Sequence, residues 1–153
     1  MSTSRKVALV TGSATGVGRA CAVRFAKLGY AVAVNFSKSE ADANETVRLV
    51  KECGVPVVLC KANVGSDAEV RQMIATTEAA FDRIDVLVNN AGMTHFVDHT
   101  NLDALTETVW DEIMQVNVKG TFYCVRAAMP LLKAAKGNIV NITSVAGLTG
   151  LGS

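Results

Sequence analysis

The sequence predicts an α/β fold in which a doubly wound parallel sheet carries helices on both faces. Five short apolar runs alternate with helical patterns along the chain, which is the arrangement that right-handed crossovers and a parallel sheet require. Half of the residues are hydrophobic but only 5% are aromatic, and Ala, Val and Leu dominate, as in strands that are buried on both faces. A glycine-rich turn also follows the first apolar run directly.

The individual elements follow from apolar runs, from capping patterns and from stop signals. The predicted strands are the five apolar runs Val7–Val10, Ala31–Asn35, Val55–Cys60, Asp85–Val88 and Asn138–Ile142. The first predicted helix covers Arg19–Leu28, and capping patterns at Ser39 and Ser66 start the next two. A long fourth helix opens at Thr108 and reaches about Ala135.

Helical periodicity predicts which side chains are buried. The first helix is expected to bury the large residues that recur along one side, which are Val17, Cys21, Phe25 and Leu28. The long helix is apolar nearly all round its middle, so we expect it to be buried on more than one side. A homotetramer or homodimer contact through residues 108–135 would provide that burial. Trp110 is expected to be a buried anchor at the start of this helix.

Composition and charge disfavour several function classes. The formal net charge is +1 with acids and bases interspersed, so we expect neither a nucleic-acid surface nor a membrane patch. No apolar run approaches the length of a membrane span or of a signal-peptide core. The four cysteines form no Cys-x-x-Cys pair and are interpreted as reduced, structural thiols of a cytoplasmic protein. His95 and His99 lack an evident third ligand, so we predict no metal site.

The glycine turn is the strongest functional signal. It consists of Thr11-Gly12-Ser13-Ala14-Thr15-Gly16-Val17-Gly18, between the first strand and the first helix. Glycines let the backbone turn sharply and approach a ligand closely, and the free N–H groups of the following helix favour an anion. The turn therefore predicts a pyrophosphate site, and the alternative is a plain turn between a strand and a helix.

Other polar clusters fall at the same edge of the predicted sheet. Ligands of parallel sheets bind beyond the carboxyl ends of the strands. The clusters at that edge are the glycine turn, residues 35–38, Asn63, residues 89–92 and Ser144. This coincidence predicts one shared cleft.

These residues resemble the short-chain dehydrogenase/reductase family. The motifs are Thr11-Gly-x-x-x-Gly16-x-Gly18, Asn89-Asn90-Ala91-Gly92, Asn117 in the long helix and Ser144 after the fifth strand, and the resemblance covers the whole chain. Within this family, the motifs are most similar to those of the 3-oxoacyl-acyl-carrier-protein reductase branch. The resemblance implies a Rossmann-type fold, an NAD(P)(H)-dependent oxidoreductase acting on a small carbonyl or alcohol substrate, and usually a tetramer.

The resemblance also implies roles for particular residues. The glycine turn would cradle the pyrophosphate, and Asn89 and Asn90 would lie beside the adenosine half and brace the sheet. Ala91 and Gly92 would also belong to the cofactor-binding residues. Asn117 would order a water for a proton relay, and Ser144 would hydrogen-bond the substrate carbonyl oxygen. From the residues alone, Asn117 could instead satisfy a kinked helix turn, and Ser144 could be a loop hydroxyl or a cap.

The end of the second strand favours NADP over NAD. An acid there would bind a free ribose 2′-hydroxyl and repel a 2′-phosphate, but the segment is Asn35-Phe36-Ser37-Lys38. Ser37 and Lys38 suit a phosphate, although a solvated turn is the alternative. By resemblance, Thr15 replaces the usual basic residue, and Asn63, followed by Val64, stands where an aspartate near the adenine is more usual.

One departure from the family pattern concerns catalysis. The resemblance implies a tyrosine about a dozen residues beyond Ser144 and a lysine one helical turn later, and the printed sequence stops at Ser153. Neither Tyr30 nor Tyr123 has the right setting to replace that tyrosine. We therefore expect residues 1–153 to be the N-terminal part of a longer single domain and to be inactive alone. The alternative is a non-catalytic dinucleotide-binding or sensor subunit that ends at Ser153.

Overall fold

The computed structural model describes residues 5–150. Its centre is a sheet of five parallel strands in the order β3-β2-β1-β4-β5. The strands are β1 Val7–Val10, β2 Ala31–Phe36, β3 Val57–Lys61, β4 Val86–Asn89 and β5 Asn138–Asn141. The strand order reverses between β1 and β4, which is where ligands of doubly wound sheets bind. The predicted fold class is confirmed.

Helices cover both faces of the sheet. They are α1 Gly16–Lys27, α2 Glu40–Glu52, α3 Asp67–Phe81, α4 Glu107–Ile113, α5 Thr121–Ala135 and α6 Ala146–Thr149. A short 3₁₀ helix, Leu102–Ala104, lies in the loop before α4. No helix within residues 5–150 is long and apolar enough to cross a membrane.

Two apolar clusters, one on each face, hold these layers together. Alternate residues of the central strands, such as Val10 and Val34, pack under α1 and α2. Their neighbours, such as Leu9 and Leu87, pack under α3 and α5. The strands β1, β2 and β4 are buried along their whole length, whereas every residue of β5 is exposed.

The buried side of α1 differs from the prediction. The buried residues are Gly18, Ala22 and Ala26, whereas Val17 and Leu28 are more than half exposed. Small side chains let this helix lie close to β1 and β2, so the large residues that periodicity favoured point to its flanks or to solvent. The predicted apolar face of the first helix is therefore wrong at both ends.

The long fourth helix is interrupted by a π-helical segment. Met114–Gly120 is π-helical and runs without a break between α4 and α5. Trp110, Val118 and Phe122 are each more than half exposed, so the predicted burial of Trp110 is wrong, and one side of the helix is exposed among residues 5–150. A π turn contains more residues than an α turn, which shifts the positions that face the core in a way that 3.6-residue periodicity does not predict.

The cysteines are free thiols. Cys60 lies in β3 and Cys124 in α5, and both are buried in the core under α3 and α5. Burial raises the pKa of both thiols, that of Cys124 to about 12. These two cysteines are therefore packing residues and poor nucleophiles.

Candidate functional site

A cleft of about 1220 Å³ opens beyond the carboxyl ends of β1, β2 and β4. Most of the predicted cofactor-binding residues line it, namely Gly12, Thr15, Gly16, Val17, Asn35, Ser37, Lys38, Asn63, Val64, Asn90, Ala91 and Gly92. The opposite wall comes from α4 and the π-helical segment. Its residues include Asp111, Glu112 and Lys119, which the sequence did not single out. The structure thus brings the predicted strand-end clusters together, with Ser144 as the exception.

The three glycines of the turn differ in what a side chain at each position would meet. Gly12 has φ +61°, and a Cβ there would lie 2.8 Å from the Ala91 Cα. A Cβ on Gly18 would lie 2.4 Å from the Gly12 carbonyl oxygen and 2.5 Å from the Asn90 Nδ2. Gly16 has φ +56°, but a Cβ there would meet no atom within 4 Å. Gly12 and Gly18 therefore permit tight packing, and Gly16 leaves open space on the cleft side.

The N-terminus of α1 presents free backbone donors at the cleft. The first hydrogen bond of this helix runs from the Arg19 N–H to the Thr15 carbonyl oxygen, at 3.0 Å. The N–H groups of residues 16–18 precede that bond and so have no partner within the helix. Such donors at the positive end of a helix dipole bind anions.

Three predicted cofactor residues support the turn from behind and do not line the cleft. The Thr11 hydroxyl donates to the Val88 carbonyl oxygen at 3.2 Å and accepts the N–H groups of Asn90 and Ala91 at 3.0 Å each. The Ser13 hydroxyl donates to the Val10 carbonyl oxygen at 2.8 Å. The third, Gly18, permits the close packing already described. These groups fix the glycine turn to the ends of the strands.

Asn90 and Asn89 both form side-chain hydrogen bonds that link neighbouring elements. The Asn90 Nδ2 donates to the carbonyl oxygens of Thr11 and Gly12 at 3.0 and 3.1 Å, so it holds the glycine turn from the end of β4. Asn89 lies outside the cleft lining and donates from Nδ2 to the Asn141 Oδ1 at 2.9 Å, which links β4 to β5.

Asn35 lines the cleft at the end of β2 and also braces the glycine turn. It is 1% exposed. Its Oδ1 accepts the Gly12 N–H at 2.9 Å, and its Nδ2 donates to the carbonyl oxygens of Cys60 and Ala62 at 3.2 and 3.0 Å. Its amide is thus committed to joining the glycine turn to the end of β3.

Ser37 and Lys38 form an exposed part of the cleft wall beside the glycine turn. Phe36, the last residue of β2, is buried against Ala14 and Ala43. The next two side chains therefore begin where the chain leaves the core. No carboxylate occurs among residues 35–38, so this wall offers a hydroxyl and an ammonium group.

Asn63 and Val64 form another part of the wall. The Asn63 Oδ1 accepts the Gly65 N–H at 3.0 Å, which closes a tight turn, and Val64 is 5% exposed. Gln115, in the π-helical segment, donates to the Gly65 carbonyl oxygen. The π-helical segment thus contacts the loop that follows β3.

Asn117 lies in the π-helical segment and binds the loop that follows β4. Its Oδ1 accepts the Met93 N–H at 2.9 Å, and its Nδ2 donates to the Met93 carbonyl oxygen at 2.8 Å. An amide has two donors and two lone pairs, so one of each remains after these bonds. The side chain ties the long helix to the loop, and Asn117 itself does not line the cleft.

Ser144 is exposed and lies outside the cleft lining. Its Oγ accepts the Ala146 N–H at 3.1 Å, just before α6, so it forms the local loop bond that was one alternative. This bond uses an oxygen lone pair and leaves the hydroxyl proton able to donate.

The two histidines show no metal geometry. The His95 Nε2 lies 2.7 Å from the Glu112 Oε2, so this loop residue pairs with the wall of the cleft. Among residues 5–150 there is no group of three or more His, Cys, Asp and Glu side chains that could hold a metal ion.

Comparison with known proteins identifies the family. Residues 6–153 match the short chain dehydrogenase family. The chain is 40% identical to 3-oxoacyl-acyl-carrier-protein reductase FabG of Staphylococcus epidermidis over 146 residues, which are 95% of this chain and 59% of that protein. It is 42% identical to the 3-oxoacyl-acyl-carrier-protein reductase of Synechocystis over 146 residues, or 95% of this chain and 58% of that one.

A solved structure agrees with this result. A Burkholderia xenovorans protein assigned as a short-chain dehydrogenase/reductase superposes with a TM-score of 0.96 at 34% identity, over 99% of this chain and 64% of its own. The chain spans about three fifths of the length of the relatives it matches. By sequence and by structure, the chain belongs to the short chain dehydrogenase family.

Proposed function

We propose that the chain forms the cofactor-binding part of an NADP(H)-dependent oxidoreductase that reduces the carbonyl group of a small molecule. The observation that carries this proposal is the juxtaposition of two phosphate-binding features in one cleft. The free N–H groups of residues 16–18 suit a pyrophosphate, and Ser37 and Lys38, with no acid beside them, suit a ribose 2′-phosphate. The names of the reductase relatives support carbonyl reduction.

The chain's own residues fit such a cofactor. The open space at Gly16 admits a pyrophosphate close to the backbone, and Asn63 and Val64 would hold the adenine end. When bound, the nicotinamide supplies the hydride. Ser144 would then donate a hydrogen bond to the carbonyl oxygen and stabilise the negative charge that develops there. Asn117 would order a water through its unused N–H and lone pair.

The preference for NADPH over NADH is tested by changing the charge at Ser37 and Lys38 in the cleft wall. We expect Lys38→Ala to raise the Kd for NADPH about tenfold and to leave the Kd for NADH nearly unchanged, since a charge-assisted bond to the 2′-phosphate is lost. Ser37→Asp should reverse the preference, because a carboxylate repels that phosphate. Both Kd values are measured by nicotinamide fluorescence titration of the full chain.

Lys51→Ala is the matched control, since Lys51 lies in the last turn of α2, away from the cleft. Tighter binding of NADH than of NADPH by the wild type would contradict the NADP assignment.

We also propose that a second copy of the chain covers the long helix. Trp110, Met114, Val118 and Phe122 recur at every fourth position and are 44–57% exposed, which forms an apolar stripe. Isologous contacts of this kind are the commonest in homo-oligomers. Val118→Glu should dissociate the oligomer in light scattering after gel filtration. Leu102→Glu, at an exposed apolar loop position, should not. A wild-type monomer would contradict this proposal.

A further inference from the structure

Arg19 joins the glycine turn to the helix α2. It is the first residue after the last glycine of the turn. Its Nε donates to the Ala14 carbonyl oxygen and to the Thr46 Oγ1, each at 2.9 Å. One Nη donates to the Asp42 carbonyl oxygen at 3.0 Å and lies 3.6 Å from the Asp42 carboxylate. One guanidinium group therefore contacts the turn and the first two turns of α2 together.

Thr46 and an apolar cluster reinforce the same connection. The Thr46 side chain is fully buried, and its hydroxyl lies 3.1 Å from the Ala14 carbonyl oxygen, as a further donor to it. Beneath these polar bonds, Ala14 packs with Phe36 at the end of β2 and with Ala43 of α2. The glycine turn, the end of β2 and the start of α2 are thus held as one unit.

Ser37 and Lys38 lie between the anchored ends of this unit. β2 ends at Phe36 and α2 begins at Glu40, so only residues 37–39 connect them. Arg19 is not among the residues that line the cleft. Its contacts instead fix how far Ser37 and Lys38 lie from the N–H groups of residues 16–18.

We infer that Arg19 is a specificity-determining positioning residue that matches the spacing of the two phosphate-binding features to a dinucleotide with a 2′-phosphate. This inference rests on the proposed NADP(H) function. A guanidinium is needed because its donors are fixed in a planar fork that reaches several acceptors at once. An ammonium keeps the charge but not this geometry, so Arg19→Lys isolates positioning from electrostatics.

The test measures the Kd values for NADPH and NADH in the full chain with Arg19→Lys and, separately, with Thr46→Val. We expect Arg19→Lys to raise the Kd for NADPH about tenfold and that for NADH less than about twofold, because only the 2′-phosphate depends on Ser37 and Lys38. Thr46→Val should act in the same direction with about a threefold effect. Arg24→Lys, at an exposed position of α1, is the matched control and should change neither.

The outcomes separate the inference from the proposed function. A fall in the NADPH-to-NADH preference in both variants, with melting temperatures that stay above the assay temperature, supports the inference. A wild-type preference for NADPH that persists in both variants, or an equal loss for both cofactors, overturns the inference alone. A wild type without NADPH preference contradicts the proposed function and the inference with it.

Discussion

The two halves of the sheet differ in how far their strands are buried and their polar side chains are hydrogen-bonded within the chain. On the side of β1, β2 and β3, the central strands are buried and the polar side chains bond to backbone groups, as Thr11, Ser13 and Asn35 do. On the side of β4 and β5, every residue of β5 is exposed, and the apolar stripe of the long helix faces solvent.

This difference separates the two tasks of the proposed enzyme. The cofactor cradle is preorganised by bonds within residues 7–91, so changes there should alter folding and binding together. The apolar stripe of the long helix is the surface proposed for a second copy, so changes there should alter assembly more than the stability of the fold. The following experiments test this contrast, from the largest expected effect to the smallest.

The largest effect is expected from Gly18→Ala. Its Cβ would overlap the Gly12 carbonyl oxygen and the Asn90 amide, so the turn must shift. We expect a loss of about 2–3 kcal/mol in the free energy of unfolding and NADPH binding weakened about a hundredfold. Gly16→Ala, which meets only open space but has a positive φ, should cost about 1 kcal/mol in urea unfolding. Equal stability losses in the two variants would contradict this account of the turn.

Asn35→Asp and Asn141→Asp compare the two halves with the same chemical change. Asn35→Asp removes both donors to the Cys60 and Ala62 carbonyl oxygens and buries a carboxylate beside them, so we expect a loss of about 3 kcal/mol. Asn141 is exposed, and its Oδ1 accepts a hydrogen bond from Asn89 that a carboxylate oxygen can also accept. Asn141→Asp should therefore lower the free energy of unfolding by less than about 0.5 kcal/mol. Chemical denaturation measures both. Similar losses would show that the two halves do not differ.

The smallest effect concerns the acid that links α3 to α5. Hydrogen bonds from Arg126 and then from Arg71 lower the pKa of Asp67 from its usual 3.8. A lowered folded pKa stabilises the protein above the unfolded pKa, and this contribution is lost as the pH falls through the folded value. Melting temperature should therefore fall more steeply below about pH 4 in the wild type than in Asp67→Asn, and less so in high salt. Parallel pH profiles for the two proteins would contradict this assignment.

The strands and the glycine turn were predictable because their signals are local. Short β-branched runs such as Val7–Val10 and a turn with glycine at positions of positive φ are encoded by adjacent residues. The meeting of the strand-end clusters in one cleft, with the exception of Ser144, followed from the parallel topology. The Ser66 cap of α3 was also predicted, and its Oγ accepts the Glu69 N–H.

The sequence was less informative where burial and hydrogen bonding depend on how closely two elements approach each other. Hydrophobicity ranks Val17 and Leu28 above Gly18 and Ala22, but the close approach of α1 to the sheet admits only small side chains. Asn35 lines the cleft, but that its amide also bonds to the carbonyl oxygen of Ala62 depends on a contact between elements that the strand pattern does not show. No pattern in the sequence predicts the π-helical segment. The sequence therefore predicted neither the exposure of Trp110 nor the contact between Asn117 and Met93.

Hydrogen–deuterium exchange of the full chain with and without NADPH tests the central claim most directly. If the cleft holds the dinucleotide as proposed, NADPH will slow exchange at the N–H groups of residues 16–18 and in residues 37–39, and will leave the end of α5 unchanged. NADH should protect residues 16–18 but not residues 37–39. Absence of NADPH protection at residues 16–18, despite saturation, would contradict the assignment of the glycine turn as the pyrophosphate site.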